Sequence, residues 1–464
     1  MSGSRLETPV GEDDAEPVAP RPYRDRRSMT RQILALAVPA LGALIAEPVF
    51  LLADTAIIGR LGVTELAGAA LGITVMHTVT GLMIFLAYST TPAVARAVGA
   101  GRMGRALAAG RDGLWLALGL GAVLGLAGVA FGEQTLRAMG SEGEVHDHAW
   151  NYLLWSMPGV PAILLVFAAT GVLRGMQDTK TPLIVAAAGF GGNIVLSLIL
   201  VHPVGWGVTG AAVGTSVAQW AMALVYLIIL VPLLRRHRVP WGLDPAGLRR
   251  ASRVGSWMML RTLTLRVAVV ATVLVATDLG SETLAAHQVA FTMFSTLAFV
   301  LDALAIAAQA LIGRELGASR VGSAREVTTT MVRWGIGFGL ITGVVIAAAS
   351  PLAPRLFTPD PQVASGITAA MLVIAVTQPL AGYVFVLDGV LMGAGDVRYL
   401  ALAGLMNLSV YAPALVVVSM RDLDGNTAIV WLWMCFAGVF MGARALTLGL
   451  RTRTQRWLVP GSAT

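Results

Sequence analysis

The residues of greatest chemical consequence in this 464-residue chain are the few charges inside its apolar runs. Among 26 acidic and 33 basic residues, Glu47, Asp54, Asp302, Asp388, Arg261 and Arg266 lie within stretches otherwise built of apolar and small side chains. A charge near the centre of a membrane helix costs on the order of 2.5–3.5 kcal/mol on insertion scales, so it faces a cavity, water or an opposite charge. The chemistry open to such a set is proton or cation binding by the carboxylates and charge pairing by the guanidiniums.

Glu47 and Asp54 are seven residues apart, which at about 100° per residue puts them within roughly 20° on one helix face, two turns apart. Pro48 removes a backbone donor beside Glu47 and is expected to bend that helix, freeing carbonyls for water or a cation. A plainer reading is also open, since Asp54 is five residues before Gly59 and a carboxylate at a helix end can simply sit in water. In the second half, Arg261 and Arg266 fall about 10 and 20 Å from the inner end of their span, and Asp302 about 15 Å from the inner end of the next. An arginine pair with Asp302 is geometrically reasonable, either as a structural lock or as part of a working network. Asp388, nearer the inner face, reads as a gate residue or as a snorkelling end residue.

Other chemistries are disfavoured. The single lysine, Lys180, follows Thr179 rather than the glycine of a phosphate-cradling loop, so this chain is not expected to hydrolyse ATP. Six histidines include no HExxH pair, and His146 and His148 read as an ordinary solvated loop. An acid-rich metal cluster for prenyl transfer is missing, because Asp13 and Asp14 lie in the N-terminal tail. Gly119, Gly121 and Gly125 mimic a dinucleotide fingerprint loosely, but within an apolar span they read as close helix packing. Cys435 is the single cysteine, so no intramolecular disulfide forms. No metal, cofactor or enzymatic activity is expected.

The elements that hold these residues follow from composition. With 56% hydrophobic residues, 13% charged and a mean hydropathy of +0.74, the chain reads as an integral membrane protein. Its net charge of +7 is scattered through short loops, which argues for membrane orientation rather than nucleic-acid binding. At about 20 apolar residues per span there is room for roughly a dozen helices. They are read near 32–58, 66–92, 112–131, 149–173, 182–203, 208–234, 252–277, 283–313, 332–350, 366–392, 399–419 and 427–449. Residues 1–30, rich in proline and charge and without a signal-peptide core, read as a disordered, uncleaved tail. If that tail is cytoplasmic, so are most basic residues, including Arg96, Arg102, Arg111, Arg174, Lys180, Arg314, Arg320 and Arg444, while loop 133–147 on the other side is acidic. Both termini are therefore expected in the cytoplasm of a cell-membrane protein.

The halves repeat at a constant offset of 218 residues. Leu61-Gly62 recurs as Leu279-Gly280, Arg96, Gly99 and Arg102 as Arg314, Gly317 and Arg320, Pro161 as Pro379, and Gly171, Gly175 and Asp178 as Gly389, Gly393 and Asp396. Each repeat has six spans, an even number, so both enter the membrane from the same side and are related by an axis along its normal. The fold expected is all-α: twelve transmembrane helices in two six-helix lobes, 31–235 and 252–450, joined by a cytoplasmic linker 236–251 and followed by a tail 451–464. At the same offset Asp54 meets Thr272, Asp302 meets Ile84 and Asp388 meets Thr170, so none of these acids belongs to the shared scaffold.

With that plan in place, Leu52-Ala53-Asp54-Thr55 through Gly59, followed by Leu61-Gly62, resembles the first-helix motif of the multidrug and toxic compound extrusion (MATE) family. Gly175 to Pro182 (GMQDTKTP) and the loops at 96–102 and 314–320 are similar to that family as well. Arg261, Asp302 and Asp388-Gly389 through Asp396 resemble its DNA-damage-inducible protein F branch. The resemblance implies secondary active efflux of organic, often cationic and aromatic, compounds in exchange for protons or sodium. It also implies a cation site formed by the first-helix aspartate, an Asn and an Asp four residues apart on the fifth helix, and a Thr on the sixth. The matching positions here are Asp54, Asn193, Ser197 and Thr215, so a hydroxyl stands where the family has a second carboxylate.

A hard cation such as sodium wants several anionic or carbonyl oxygens, whereas a proton needs one carboxylate. The expected coupling ion is thus the proton, with Glu47 the candidate to supply the missing charge in a sodium version. Asn193, Ser197 and Thr215 are expected to hydrogen-bond the Asp54 carboxyl or a water beside it. The partners are small organic substrates and membrane lipid, and the chain is expected to act as a monomer. A lipid or lipid-linked precursor flippase is the alternative that Arg261 and Arg266 leave open.

Overall fold

The computed structural model describes residues 26–421, 423 and 425–461. Twelve long apolar helices cross the expected membrane thickness: α1 (Arg27–Gly59), α2 (Val63–Gly99), α3 (Met103–Ala138), α4 (Gly143–Gly175), α5 (Lys180–Val201) and α6 (Gly207–Arg236), then α7 (Pro245–Asp278), α8 (Ser281–Gly317), α9 (Val321–Ala349), α10 (Pro361–Gly393), α11 (Val397–Ser419) and α12 (Gly425–Arg453). Each overlaps one of the twelve apolar runs, ten containing theirs whole, while α5 and α9 end two residues and one residue short of theirs. Most extend beyond the run by a turn or more, because helix formation satisfies the backbone even where the side chains turn polar. Thus α1 starts before residue 31, α7 starts inside the segment 236–251, and α12 continues to Arg453. The tail 1–25 lies outside the described residues.

Helix starts use local chemistry. The Asp244 carboxylate accepts from the Ala246 amide with Pro245 in the first turn of α7, and Asp360 accepts from the Gln362 and Val363 amides ahead of α10. Asp178 does the same for Lys180 and Thr181 at the start of α5. Its counterpart in the repeat, Asp396, instead pairs with Arg451 at 2.6 Å. α1 runs unbroken through Pro39 and Pro48. α4 tightens into a 3-10 turn at Met157–Gly159, and α12 widens into a π segment at Met434–Phe440.

The packing obeys the duplication. α1 lies on α5, α2 on α4 and α3 on α4, and in the second lobe α7 lies on α11, α8 on α10 and α9 on α10. The lobes meet chiefly where α8 crosses α1 and α2 and where α7 crosses α2 and α3. At the centre of that junction a Cβ on Gly99 would fall onto the Arg314 carbonyl, and one on Gly317 onto the Arg96 carbonyl. These are equivalent residues in the repeat, so glycine is required at both because the two backbones touch across the pseudo-two-fold axis. Gly121 likewise sits against Pro161, as Gly339 does against Pro379, and Gly125 faces the Met157 carbonyl, so these glycines serve close packing; Gly119 faces open space.

The arginine-rich end of the junction is closed by buried arginines. Arg96 donates to the Ala394 carbonyl at 2.6 Å and to the Val459 and Gly461 carbonyls near the C-terminus. Arg314 donates to Gln177 at 2.8 Å and to Gln32 at 3.2 Å. Counting Arg96, Arg111, Arg174, Arg314 and Arg444 with the loop charges was therefore incorrect. All five are inside helices and buried: four because the helices outlast the apolar runs, and Arg444 because it lies within the last run itself.

Candidate functional site

A cavity of about 160 Å³ opens within the first lobe. α1 contributes Glu47, Phe50 and Asp54, α2 contributes Met76, His77, Thr80 and Tyr88, and α4 contributes Tyr152, Ser156, Thr170 and Arg174. α5 adds Phe190, and α6 adds Thr215, Gln219 and Tyr226. Phe50 and Phe190 stack at 5.2 Å between ring centroids, giving the cavity an aromatic wall.

Asp54 is 1% exposed, which sets aside the reading of a solvated helix end. Its Oδ1 is buried and accepts no hydrogen bond, and among the described residues it has no ion pair. Ser197 donates to Asn193 Oδ1 at 3.1 Å, and Asn193 Nδ2 donates to Thr215 Oγ1 at 3.2 Å, a buried chain that ends on the cavity wall. The structure thus brings Asn193, Ser197 and Thr215 together as one relay, with Thr215 the member that shares the cavity with Asp54. Glu47 lines the same cavity but is exposed. It stands two turns from Asp54, about 10 Å along the axis.

Two participants escaped the sequence reading. Gln219 lies one turn after Thr215, and its Oε1 is also buried without a hydrogen bond, so the cavity holds two unpartnered acceptors, on α1 and α6. Tyr152 lines the cavity with Asp54 and Thr215. The i+4 spacing from Thr215 was the available signal for Gln219; Tyr152 carries none, because its place depends on how α4 packs.

A buried, unpaired carboxylate facing a cavity is suited to a proton or to the charged group of a cation. It falls short of a metal cage: among the described residues no three His, Cys, Asp or Glu side chains cluster. The equivalent positions of the second lobe, 218 residues on, are Thr272, Tyr411, Leu415 and Trp433. Thr272 and Tyr411 share a 2.6 Å hydrogen bond, and Tyr411 and Trp433 pack with Phe436, leaving that space filled.

The second-lobe charges are arranged differently from the expectation. Arg261 pairs with Asp388 rather than with Asp302, donating to both carboxylate oxygens. Arg444 donates to the same carboxylate at 3.1 Å, and all three side chains are buried. Arg444 was missed although it lies within the last apolar run. Asp302 is half-buried and makes no ion pair among the described residues. Arg266 is exposed and reaches across to α2, where a Cβ on Gly81 would meet its Nη2 at 2.7 Å. The four residues therefore are not one ion-paired cluster: Arg261 and Asp388 are joined, Asp302 lies within electrostatic range of both without pairing, and Arg266 is turned toward α2.

A family model described as MatE matches residues 39–199 and 258–416, one stretch in each lobe. DNA damage-inducible protein F of Escherichia coli (strain K12) is 29% identical over 427 residues, covering 91% of both chains. Multidrug resistance protein MdtK of Edwardsiella ictaluri is 30% identical over 385 residues, covering 79% of this chain and 82% of its own. The Vibrio cholerae MATE transporter VcmN in the bent form superposes with a TM-score of 0.83 at 19% identity, over 93% of this chain and 99% of its own.

Proposed function

Given that the chain belongs to the MatE family, we propose that it is a secondary active multidrug exporter that exchanges organic compounds for protons, with Asp54 as the coupling carboxylate. The observation that carries the reading is the buried Asp54 carboxyl, unpaired at Oδ1 and facing a cavity walled by aromatic rings. A proton taken up there neutralises the carboxylate and weakens its hold on a cationic substrate. Substrate leaves as the proton enters. The lobes then rock about the α2–α8 junction, and the proton is discharged on the other side. With the arginine-rich end cytoplasmic and the junction closed there, the arrangement fits the outward-facing half of that cycle. Both termini would then lie in the cytoplasm, in a cell membrane, with the chain working as a monomer and without a cofactor.

Protons are favoured over sodium because Ser197 supplies a hydroxyl, not a carboxylate, and Glu47 is exposed and about 10 Å from Asp54 along the helix axis. The flippase alternative is weakened because Arg261, on which it leaned, is held by Asp388. Exchange of one proton for one monovalent cation moves no net charge, so the driving force is about 1.4 kcal/mol per pH unit. A neutral substrate would add about 2.3 kcal/mol per 100 mV of membrane potential.

The test is ethidium efflux from proteoliposomes under an imposed pH gradient or a sodium gradient, for the unmodified protein and Asp54→Asn. Efflux driven by pH and lost in the variant is expected. Normal pH-driven efflux by Asp54→Asn would sink the assignment, and efflux driven by sodium alone would replace the coupling ion.

A further inference from the structure

We propose that Arg174 makes the arginine-rich end of the first-lobe cavity a binding subsite for the carboxylate of an aromatic organic anion. The proposal rests on reading this cavity as the substrate chamber. Arg174 is 8% exposed, lines the cavity, and its Nε is buried without a hydrogen bond. Among the described residues it makes no ion pair. The titratable groups near enough to act on it are Tyr88, Tyr226 and Asp302, and Asp302 is not within ion-pair distance. A buried guanidinium with an idle donor is a costly arrangement unless something visits it.

Its direction follows from helix geometry. Arg174 is the penultimate residue of α4. Side chains tilt toward the helix N-terminus, so its guanidinium is carried back into the cavity instead of snorkelling out to the arginine-rich face. Proximity to the carbonyl end of α4 favours the charge there but does not occupy its Nε donor. Thr170, one turn earlier on the same face, shares a 3.0 Å hydrogen bond with Tyr226, which places two hydroxyls beside the guanidinium.

The cavity is consequently polarised along its length. α1 and α4 run in opposite directions, so Asp54, five residues from the end of α1, and Arg174, at the end of α4, sit toward opposite membrane faces. Between them lie the stacked Phe50 and Phe190 rings. An aromatic body with a carboxylate at one end would lie against those rings with its charge on Arg174, through the paired, charge-assisted bonds that guanidinium makes with carboxylate.

Dansylglycine, an aromatic carboxylate, and ethidium, an aromatic cation, separate this idea from the chamber reading. Both are titrated by fluorescence against the full chain in phosphatidylcholine nanodiscs, for the unmodified protein, Arg174→Gln and Arg174→Lys. The expected result is that Arg174→Gln shifts the ratio of the two affinities by about tenfold or more against dansylglycine, with Arg174→Lys between the two. The lysine variant keeps the test decisive if the glutamine variant does not fold. An unchanged ratio, or a wild type that binds ethidium but not dansylglycine, overturns the subsite and leaves the chamber standing. A wild type that binds neither overturns the chamber itself. Displacement of dansylglycine by added phosphatidylglycerol in the wild type, but not in Arg174→Lys, would assign the site to a lipid headgroup and overturn the small-molecule proposal.

Discussion

Asp388→Asn isolates the pairing in the second lobe. The carboxylate accepts from both Arg261 and Arg444, and the three side chains are between 6% and 8% exposed. Removing its charge leaves two buried guanidiniums with no ion-paired carboxylate among the described residues, Asp302 being near but unpaired. Breaking a buried pair in this way costs about 3–5 kcal/mol, because the remaining charge is stranded. At roughly 2.1 cal/mol/K per residue over a chain of this length, that corresponds to a fall of about 3–5 °C in the unfolding midpoint. Asp302→Asn is the control: Asp302 has no ion pair among the described residues, so its shift should stay below about 1 kcal/mol. Combining Asp388→Leu with Arg261→Met and Arg444→Leu should recover most of the loss, since an apolar replacement strands nothing. The assay is thermal unfolding of purified protein in detergent, followed by size-exclusion fluorescence. An Asp388→Asn midpoint within 1 °C of wild type, or a larger fall for Asp302→Asn, would refute the assignment of Asp388 as the shared partner.

Gly99→Leu should prevent closure of the arginine-rich end, because its Cβ meets the Arg314 carbonyl. In a Cys435→Ser background, a cysteine in place of Gln177 should then be labelled several-fold faster from that end, and unchanged labelling would count against contact at the axis. Ser197→Asp places a second carboxylate next to Asn193, whose Oδ1 now accepts from the serine hydroxyl at 3.1 Å. It should add a sodium response to ethidium efflux, and a variant still indifferent to sodium would remove Ser197 from the explanation of ion choice.

Apolar run lengths, the positions of the charged exceptions and the 218-residue repeat were enough to read twelve helices in two lobes, because a bilayer permits few other ways to satisfy the backbone. The same reading picked out Asp54, since a carboxylate inside an apolar run demands an explanation on its own. It also exposed the asymmetry of the halves, as Asp54 faces Thr272 in the repeat. Partner identity was not legible there. Arg261 has Asp302 and Asp388 at comparable depth along the chain, and the choice between them depends on how α7, α8, α10 and α12 turn about their axes. Arg174 reads as a loop charge by position, yet α4 extends past its apolar run and carries it inside, and Arg444 lies within the last run itself, where α12 buries it. Tyr152 joins the Asp54 cavity through packing alone. A sequence can state which groups must leave water, because that follows from hydropathy along one dimension. Which groups meet once they have left is set by helix rotation and crossing, which are properties of the packed lobes.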